Sequence, residues 1–313
     1  MGKSRKKKLM AKETKTGHYG AKVFYASPTD LFARIPELKP LREKTVAVFG
    51  LGCLGAPSAL EFARAGVRCI RLVDFDVVDP ATCVRWPLGF SAAGGKKITV
   101  LQEFINKNYP YTKCGISDVF EFKVGAVRSI DLKKSLPMAQ ETIEKIVAGA
   151  DLIYDSTAEW GVQHFLTDYA NSCQIPYIGL SGTWGAWGGR VVRIVPNRTG
   201  CWSCYRLACT EGIIPEPPHA PDELGQGLVQ PTGCANPTFT GAGFDMLQIA
   251  LMGVRMAVST MCEDITGAYP SFDWDAVHVR LRRENGSLIA PKFDTYKIDP
   301  NPKCPGCHGK THQ

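Results

Sequence analysis

A doubly wound, mostly parallel α/β sheet with antiparallel strands towards its C-terminal end is the fold class this chain predicts. Two observations carry that expectation. A glycine-rich loop stands between a short apolar run and a helical period, and β-rich and helical segments then alternate for more than a hundred residues. A third observation, two C-x-x-C knuckles far apart in the sequence, adds a metal-braced C-terminal part.

The first element is the apolar run Thr45–Phe49, read as a strand. Residues 54–65 follow with helical periodicity up to Gly66, and residues 68–73 form a second β-rich run, which completes a βαβ unit. Next come a helix over 97–108, a β-rich stretch at 119–127, a helix near 140–147 and a strand at 151–154. A helix at 161–172 and a strand at 176–180 end the alternation. Beyond Gly188 the pattern changes to a strand at 190–195, a Pro- and Gly-rich loop over 208–232, and a long helix over 238–261. Two β-rich runs near 277–281 and 295–298 close the chain. Before the first strand, Pro28, Pro36 and Pro40 divide the chain into short pieces, with a short helix expected over 29–34.

The chain has 313 residues with 44% hydrophobic and 21% charged content, enough to bury a large core and too apolar for a disordered protein. Its net charge of +7 is concentrated in Lys3, Arg5, Lys6, Lys7, Lys8, Lys12 and Lys15, so residues 1–30 read as a basic, unstructured arm on a near-neutral body spanning 31–313. Nucleic acid is therefore not an expected partner of the body. No apolar segment follows the basic run as a secretory leader requires, and the most apolar stretch, 239–261, is interrupted by Asp245 and Arg255. A cytoplasmic protein is expected, with its 12 cysteines serving something other than disulfides.

Gly50-Leu51-Gly52-Cys53-Leu54-Gly55 follows the first strand and opens the first helix. Gly50, Gly52 and Gly55 permit a tight turn and close approach of backbone to phosphate, and the helix N-terminus supplies N–H groups and a positive dipole end. Asp74, closing the second strand, stands where a carboxylate bonds a ribose hydroxyl. Up to this point a Rossmann-like NAD-dependent oxidoreductase and an ATP-binding enzyme are equally compatible.

The next segment separates them. Asp74-Phe75-Asp76 is followed, after five residues, by Thr82-Cys83-Val84-Arg85, and then by Gly94-Gly95-Lys96-Lys97 at the start of a helix. This stretch resembles the ThiF/MoeB/HesA family, which includes the adenylating halves of ubiquitin-activating enzymes. The family writes it as D-x-D, five residues, N-L-x-R-Q and then G-x-x-K. The resemblance implies that Asp74 and Asp76 belong to the nucleotide site and that Arg85 and Lys97 are catalytic cations. Such cations meet the charge that builds when a carboxylate joins the α-phosphate and pyrophosphate leaves. Two departures stand out. Thr82 occupies the family's asparagine position. In Asp155-Ser156-Thr157-Ala158-Glu159, Ala158 occupies the position of the aspartate used near magnesium, which leaves Glu159 or Asp155 to hold the ion.

Cys201-Trp202-Ser203-Cys204 and Cys304-Pro305-Gly306-Cys307 offer four thiolates, the donor set of a structural zinc site, and the family places knuckles at similar points. Cys234, in Thr232-Gly233-Cys234-Ala235, lies where the family carries a cysteine for thioester or persulfide chemistry; Cys209 is the rival, and a buried packing role is the alternative to both. Arg34 resembles an arginine that family members donate across a dimer, and Trp184 and Trp187 read as aromatic packing, with a surface where a partner's tail enters as the alternative.

The resemblance therefore implies ATP- and Mg²⁺-dependent adenylation of the C-terminus of a ubiquitin-like or sulfur-carrier protein, as in a bacterial ubiquitin-like conjugation system. It further implies a Zn²⁺ brace, a homodimer and, where a thioester forms, a following transfer enzyme. The competing readings are a non-catalytic pseudo-subunit, for which Ala158 speaks, and the oxidoreductase.

Overall fold

The computed structural model describes residues 10–14, 17–21, 27–124, 132–230, 238–304 and 306. Strands β1 (Met10–Thr14) and β2 (Gly17–Ala21) pair as an antiparallel ribbon, so the N-terminal arm carries structure where the sequence predicts none. The short helix α1 (Pro28–Leu31) begins with a capping box between Ser27 and Asp30 and is briefer than the predicted 29–34.

An eight-stranded sheet forms the body. Its strands in chain order are β3 (Thr45–Phe49), β4 (Cys69–Asp74), β5 (Val119–Glu121), β6 (Leu152–Asp155), β7 (Tyr177–Gly182), β8 (Gly188–Ile194), β11 (Ala276–Arg282) and β12 (Leu288–Tyr296). The spatial order is β12-β11-β8-β7-β6-β3-β4-β5. From β5 to β7 all pairings are parallel, whereas β8, β11 and β12 pair antiparallel. The predicted change of pattern beyond Gly188 is this switch.

Helices α2 (Gly55–Arg64), α3 (Lys97–Asn108) and α7 (Gly243–Cys262) cover one face, and α4 (Leu132–Val147), α5 (Trp160–Cys173) and α6 (Trp202–Thr210) cover the other. Successive strand residues point to opposite faces, so a strand covered on both sides must be apolar throughout. In β3, Val46 and Val48 join the α2 side while Ala47 and Phe49 join the α5 side, all without exposed surface.

Further elements differ from the sequence expectation: β5 stops at Glu121, so 122–124 of the predicted 119–127 run are not strand, and α4 begins at Leu132 ahead of the predicted 140. Helix α6 was expected as knuckle and loop. The segment 238–242 is not helical: Thr238–Phe239 is strand β10, paired with β9 (Leu228–Val229), and α7 starts at Gly243. Strand β12 begins seven residues before the predicted 295–298 run. Among the described residues no helix is long and apolar enough to cross a membrane.

Candidate nucleotide site

Parallel strands in register bring their ends together. Phe49 of β3 lies opposite Val73 of β4 and Asp155 of β6, so the loops starting at Gly50, Phe75 and Ser156 leave the sheet side by side. Gly50 holds φ at +79°, the left-handed region that favours glycine. A side chain at Gly55 would run into the Gly50 carbonyl oxygen and the Ser156 hydroxyl. Ser156 binds both edges of the turn, its Oγ donating to the Phe49 carbonyl at 3.0 Å and the Gly50 carbonyl at 2.6 Å. Trp86, buried, donates its indole N–H to the Leu51 carbonyl at 2.8 Å. Sequence reasoning passed over Trp86, whose only signal is its place next to Arg85.

Beside this loop opens a cleft of about 490 Å³. Its lining includes Gly50, Gly52, Asp74, Asp76, Lys97, Thr157 and Glu159, together with an apolar end formed by Phe75, Phe122, Val124 and Val162. This size and mixture suit a small ligand with a flat apolar part and a charged part. Lys123 caps the apolar end, its Nζ 4.8 Å from the Phe75 ring centroid. Phe122 and Val124 went unnoticed in the sequence because the run 119–127 reads as ordinary strand, and Val162 because it reads as ordinary helix.

Asp74 is nearly buried and shapes the loops. Its Oδ2 accepts from the Leu51 N–H at 2.6 Å and its Oδ1 from the Asp76 N–H at 2.8 Å. Each oxygen keeps a further lone pair for a ligand hydroxyl. Lys97 reaches into the cleft and pairs with Asp76 at 2.8 Å. Glu159 is exposed at the cleft wall.

Arg85 is placed elsewhere. Its guanidinium donates to the Phe239 carbonyl at 2.8 Å and the Thr238 hydroxyl at 3.2 Å, and lies 4.4 Å from the Phe239 ring centroid. It does not line the cleft. On the neighbouring Cys53 burial raises the thiol above its ordinary value, and Arg85 and Lys97 pull it down by less.

Asp155 is closed off as a metal ligand. It has no exposed surface; Oδ1 accepts from the Thr157 N–H and hydroxyl, and Oδ2 from the Tyr177 hydroxyl at 2.9 Å. Ala158 adopts φ +59°, a left-handed conformation unusual for alanine.

The thiolates of Cys201, Cys204 and Cys304 converge, with Cys201 Sγ 3.8 Å from Cys204 Sγ and 3.5 Å from Cys304 Sγ. A tetrahedral zinc with bonds of about 2.3 Å spaces its sulfurs by about 3.8 Å, so the donor set fits. The Asn301 N–H donates to Cys204 Sγ at 3.2 Å, a contact that orients a thiolate ligand. Cys307 and Cys234 lie outside the described residues. Cys209 is half-buried on α6, and burial raises its thiol above the ordinary value. Arg34 is exposed after α1. Trp184 meets His219 edge to face at 5.7 Å, while the Trp187 carbonyl accepts from Leu281 and Arg282 of β11.

A doubly wound sheet with a phosphate-type loop and carboxylate at its switch point defines a nucleotide-binding α/β protein. Residues 29–285 match the model of the ThiF family, and the chain belongs to that family. It is 33% identical to the uncharacterized protein y4oA of Sinorhizobium fredii (strain NBRC 101917 / NGR234) over 282 residues, covering 90% of this chain and 46% of the relative. The probable adenylyltransferase/sulfurtransferase MoeZ of Mycobacterium tuberculosis is 30% identical over 158 residues, 49% of this chain and 35% of that protein. The chain thus spans just under half the length of y4oA and of the S. fredii protein y4qC, which it also matches. Among solved structures, E. coli MccB with ATP superposes with a TM-score of 0.60 at 16% identity, over 86% of this chain and 68% of that one, a likeness of fold.

Proposed function

We propose that this chain uses ATP to adenylate the C-terminal carboxylate of a peptide or small carrier protein. The observation that carries the reading is the cleft at the carboxyl ends of β3, β4 and β6, where Gly50, Asp74 and Lys97 meet beside an apolar end. In this reading a carboxylate oxygen attacks the α-phosphorus, the bond to the bridging oxygen breaks, and pyrophosphate leaves with the electron pair. Asp74 accepts from the ribose hydroxyls. Lys97 supplies fixed positive charge to the phosphates. Arg85 joins it on leaving the Thr238–Phe239 grip. Magnesium, which would spread the phosphate charge, falls to Glu159 and Asp76, since Asp155 is sealed. Zinc falls to Cys201, Cys204, Cys304 and Cys307 and holds the chain end. The name of the relative MoeZ, a probable adenylyltransferase/sulfurtransferase, supports this reaction class.

We assign the acceptor to ubiquitin-like or sulfur-carrier proteins with Gly-rich C-termini, and the covalent step, where one follows, to Cys234 ahead of Cys209. The body from residue 31 onward is proposed to act as one adenylation domain in a homodimer.

ATP–pyrophosphate exchange tests the reaction. Exchange should require a peptide or carrier ending in a free Gly-Gly carboxylate and should vanish when that terminus is amidated. Lys97→Ala should slow it by about a hundredfold or more, while its partly exposed pair with Asp76 costs under about 1 kcal/mol of stability. ATP binding without exchange across a panel of such partners would favour the pseudo-subunit reading that Ala158 suggests.

A further inference from the structure

The hairpin β11–β12 carries a second cleft, of about 530 Å³, lined by Arg280, Arg282, Arg283, Lys292, Glu284 and the aliphatic run from Leu288 to Ala290. Arg280 is neutralised by Asp294 at 2.6 Å, and Arg282 donates within the hairpin to the Gly286 carbonyl at 3.4 Å. Arg283 and Lys292 are exposed and make no ion pair among the described residues. Leu288 is 75% exposed, and β12 is the end strand of the sheet, with one side of its backbone unpaired there.

Position matters as much as charge. β11 is antiparallel to β8, which is antiparallel to β7, so β11 runs in the direction of β7, β6 and β3. The tip after Arg282 therefore leaves the same edge of the sheet as Gly50 and Ser156. Trp187, in the turn between β7 and β8, holds the start of the tip, its carbonyl accepting from the Leu281 and Arg282 N–H groups. From β3 to β11 there are four strand spacings, or about 19 Å at about 4.8 Å each. An extended chain covers that distance in about six residues.

We propose that this hairpin docks an acidic, aliphatic segment of the polypeptide whose C-terminus is activated, lying about six or more residues upstream of the reacting carboxylate. This rests on the adenylation reading. Exposed cations beside aliphatic side chains select carboxylates on a chain that also presents apolar groups, and the end strand offers backbone pairing to an extended polypeptide. The cleft has no aromatic platform of the kind that stacks nucleic-acid bases.

Fluorescein-labelled synthetic peptides ending in Gly-Gly test it, with an Asp/Glu/Leu block placed about two, about six or about ten residues before the terminus. The whole chain should bind the two longer spacings about tenfold more tightly than peptides with an uncharged block, and added salt should erode the gain. Arg283→Glu with Lys292→Glu should abolish the gain, and Arg283→Gln with Lys292→Gln should reduce it. Equal binding by parent and charge-reversed chains overturns the proposal, as does indifference to spacing. Hairpin-dependent binding of a single-stranded oligonucleotide without peptide binding also overturns it. If binding depends on the hairpin but no peptide supports pyrophosphate exchange, docking stands and the adenylation reading fails.

Discussion

His278 and Asp155 are both fully buried, and burial moves them in opposite directions. The His278 ring donates Nδ1–H to the Pro215 carbonyl at 2.8 Å, because a carbonyl only accepts, and Nε2 accepts from the Tyr205 hydroxyl at 2.9 Å. Burial, above all, lowers its pKa from 6.5 to about 4. Burial also raises Asp155 from 3.8 to about 6, outweighing the hydrogen bonds from Thr157 and Tyr177. Between pH 6.5 and 4 the unfolded histidine takes a proton that the folded one refuses, so stability falls with acidification. Between pH 6 and 3.8 folded Asp155 takes a proton that the unfolded residue refuses, so stability rises. Each shift corresponds to about 3 kcal/mol. From pH 6 to 4 the two nearly cancel. His278→Gln should expose the Asp155 contribution, gaining about 2–3 kcal/mol relative to the parent chain between pH 7 and pH 4 in urea unfolding. Parallel pH profiles for the two chains would show that His278 is not held neutral in the fold.

At the level of elements, the turn between β6 and α5 is one of two among the described residues that hold an alanine at positive φ, the other being at Ala186. Ala158 sits at φ +59°, where an L-residue with a Cβ costs about 1–2 kcal/mol. An ordinary Ala→Gly change destabilises; here Ala158→Gly should stabilise by about 0.5–1 kcal/mol, since glycine has no steric objection to that conformation. Thermal unfolding decides it, and a lowered midpoint would mean the turn is right-handed in solution. Which elements the sequence revealed follows from their burial. β3 was legible because both of its faces are covered and every residue is apolar, and α3 was bounded as predicted at Lys97–Asn108. β12 was largely missed, since its side chains are mostly exposed and carry no alternating pattern. α6 hid behind the Cys201-Trp202-Ser203-Cys204 spacing, which says metal knuckle without saying helix. The cleft was legible in part: Gly50, Asp74 and Lys97 come together as the motif spacing implies, whereas Arg85 is held by β10, a partner 153 residues away that spacing alone does not reveal.

Across the whole molecule, the sheet separates two cores that depend on different ties. The α2–α3–α7 core holds Leu72, Leu101 and Met246 and contains none of the clustered thiolates. The α4–α5–α6 core includes Cys201, Cys204 and Cys304 together with Ile298, so the segment from Ile298 to Cys304 is anchored in it at both ends. A zinc ion on those sulfurs would act as the strap of that core alone, and its binding energy would appear as stability of that face. Removing the metal with a strong chelator should therefore raise amide hydrogen exchange in α6 and around Ile298 first. Exchange in α2, α3 and α7, which pack on the other face, should change later and less. Cys304→Ser should reproduce the same pattern without chelator. Uniform loosening of both faces would mean that the two cores unfold as one unit, and an unchanged exchange map after verified metal loss would remove the strap from the account of stability.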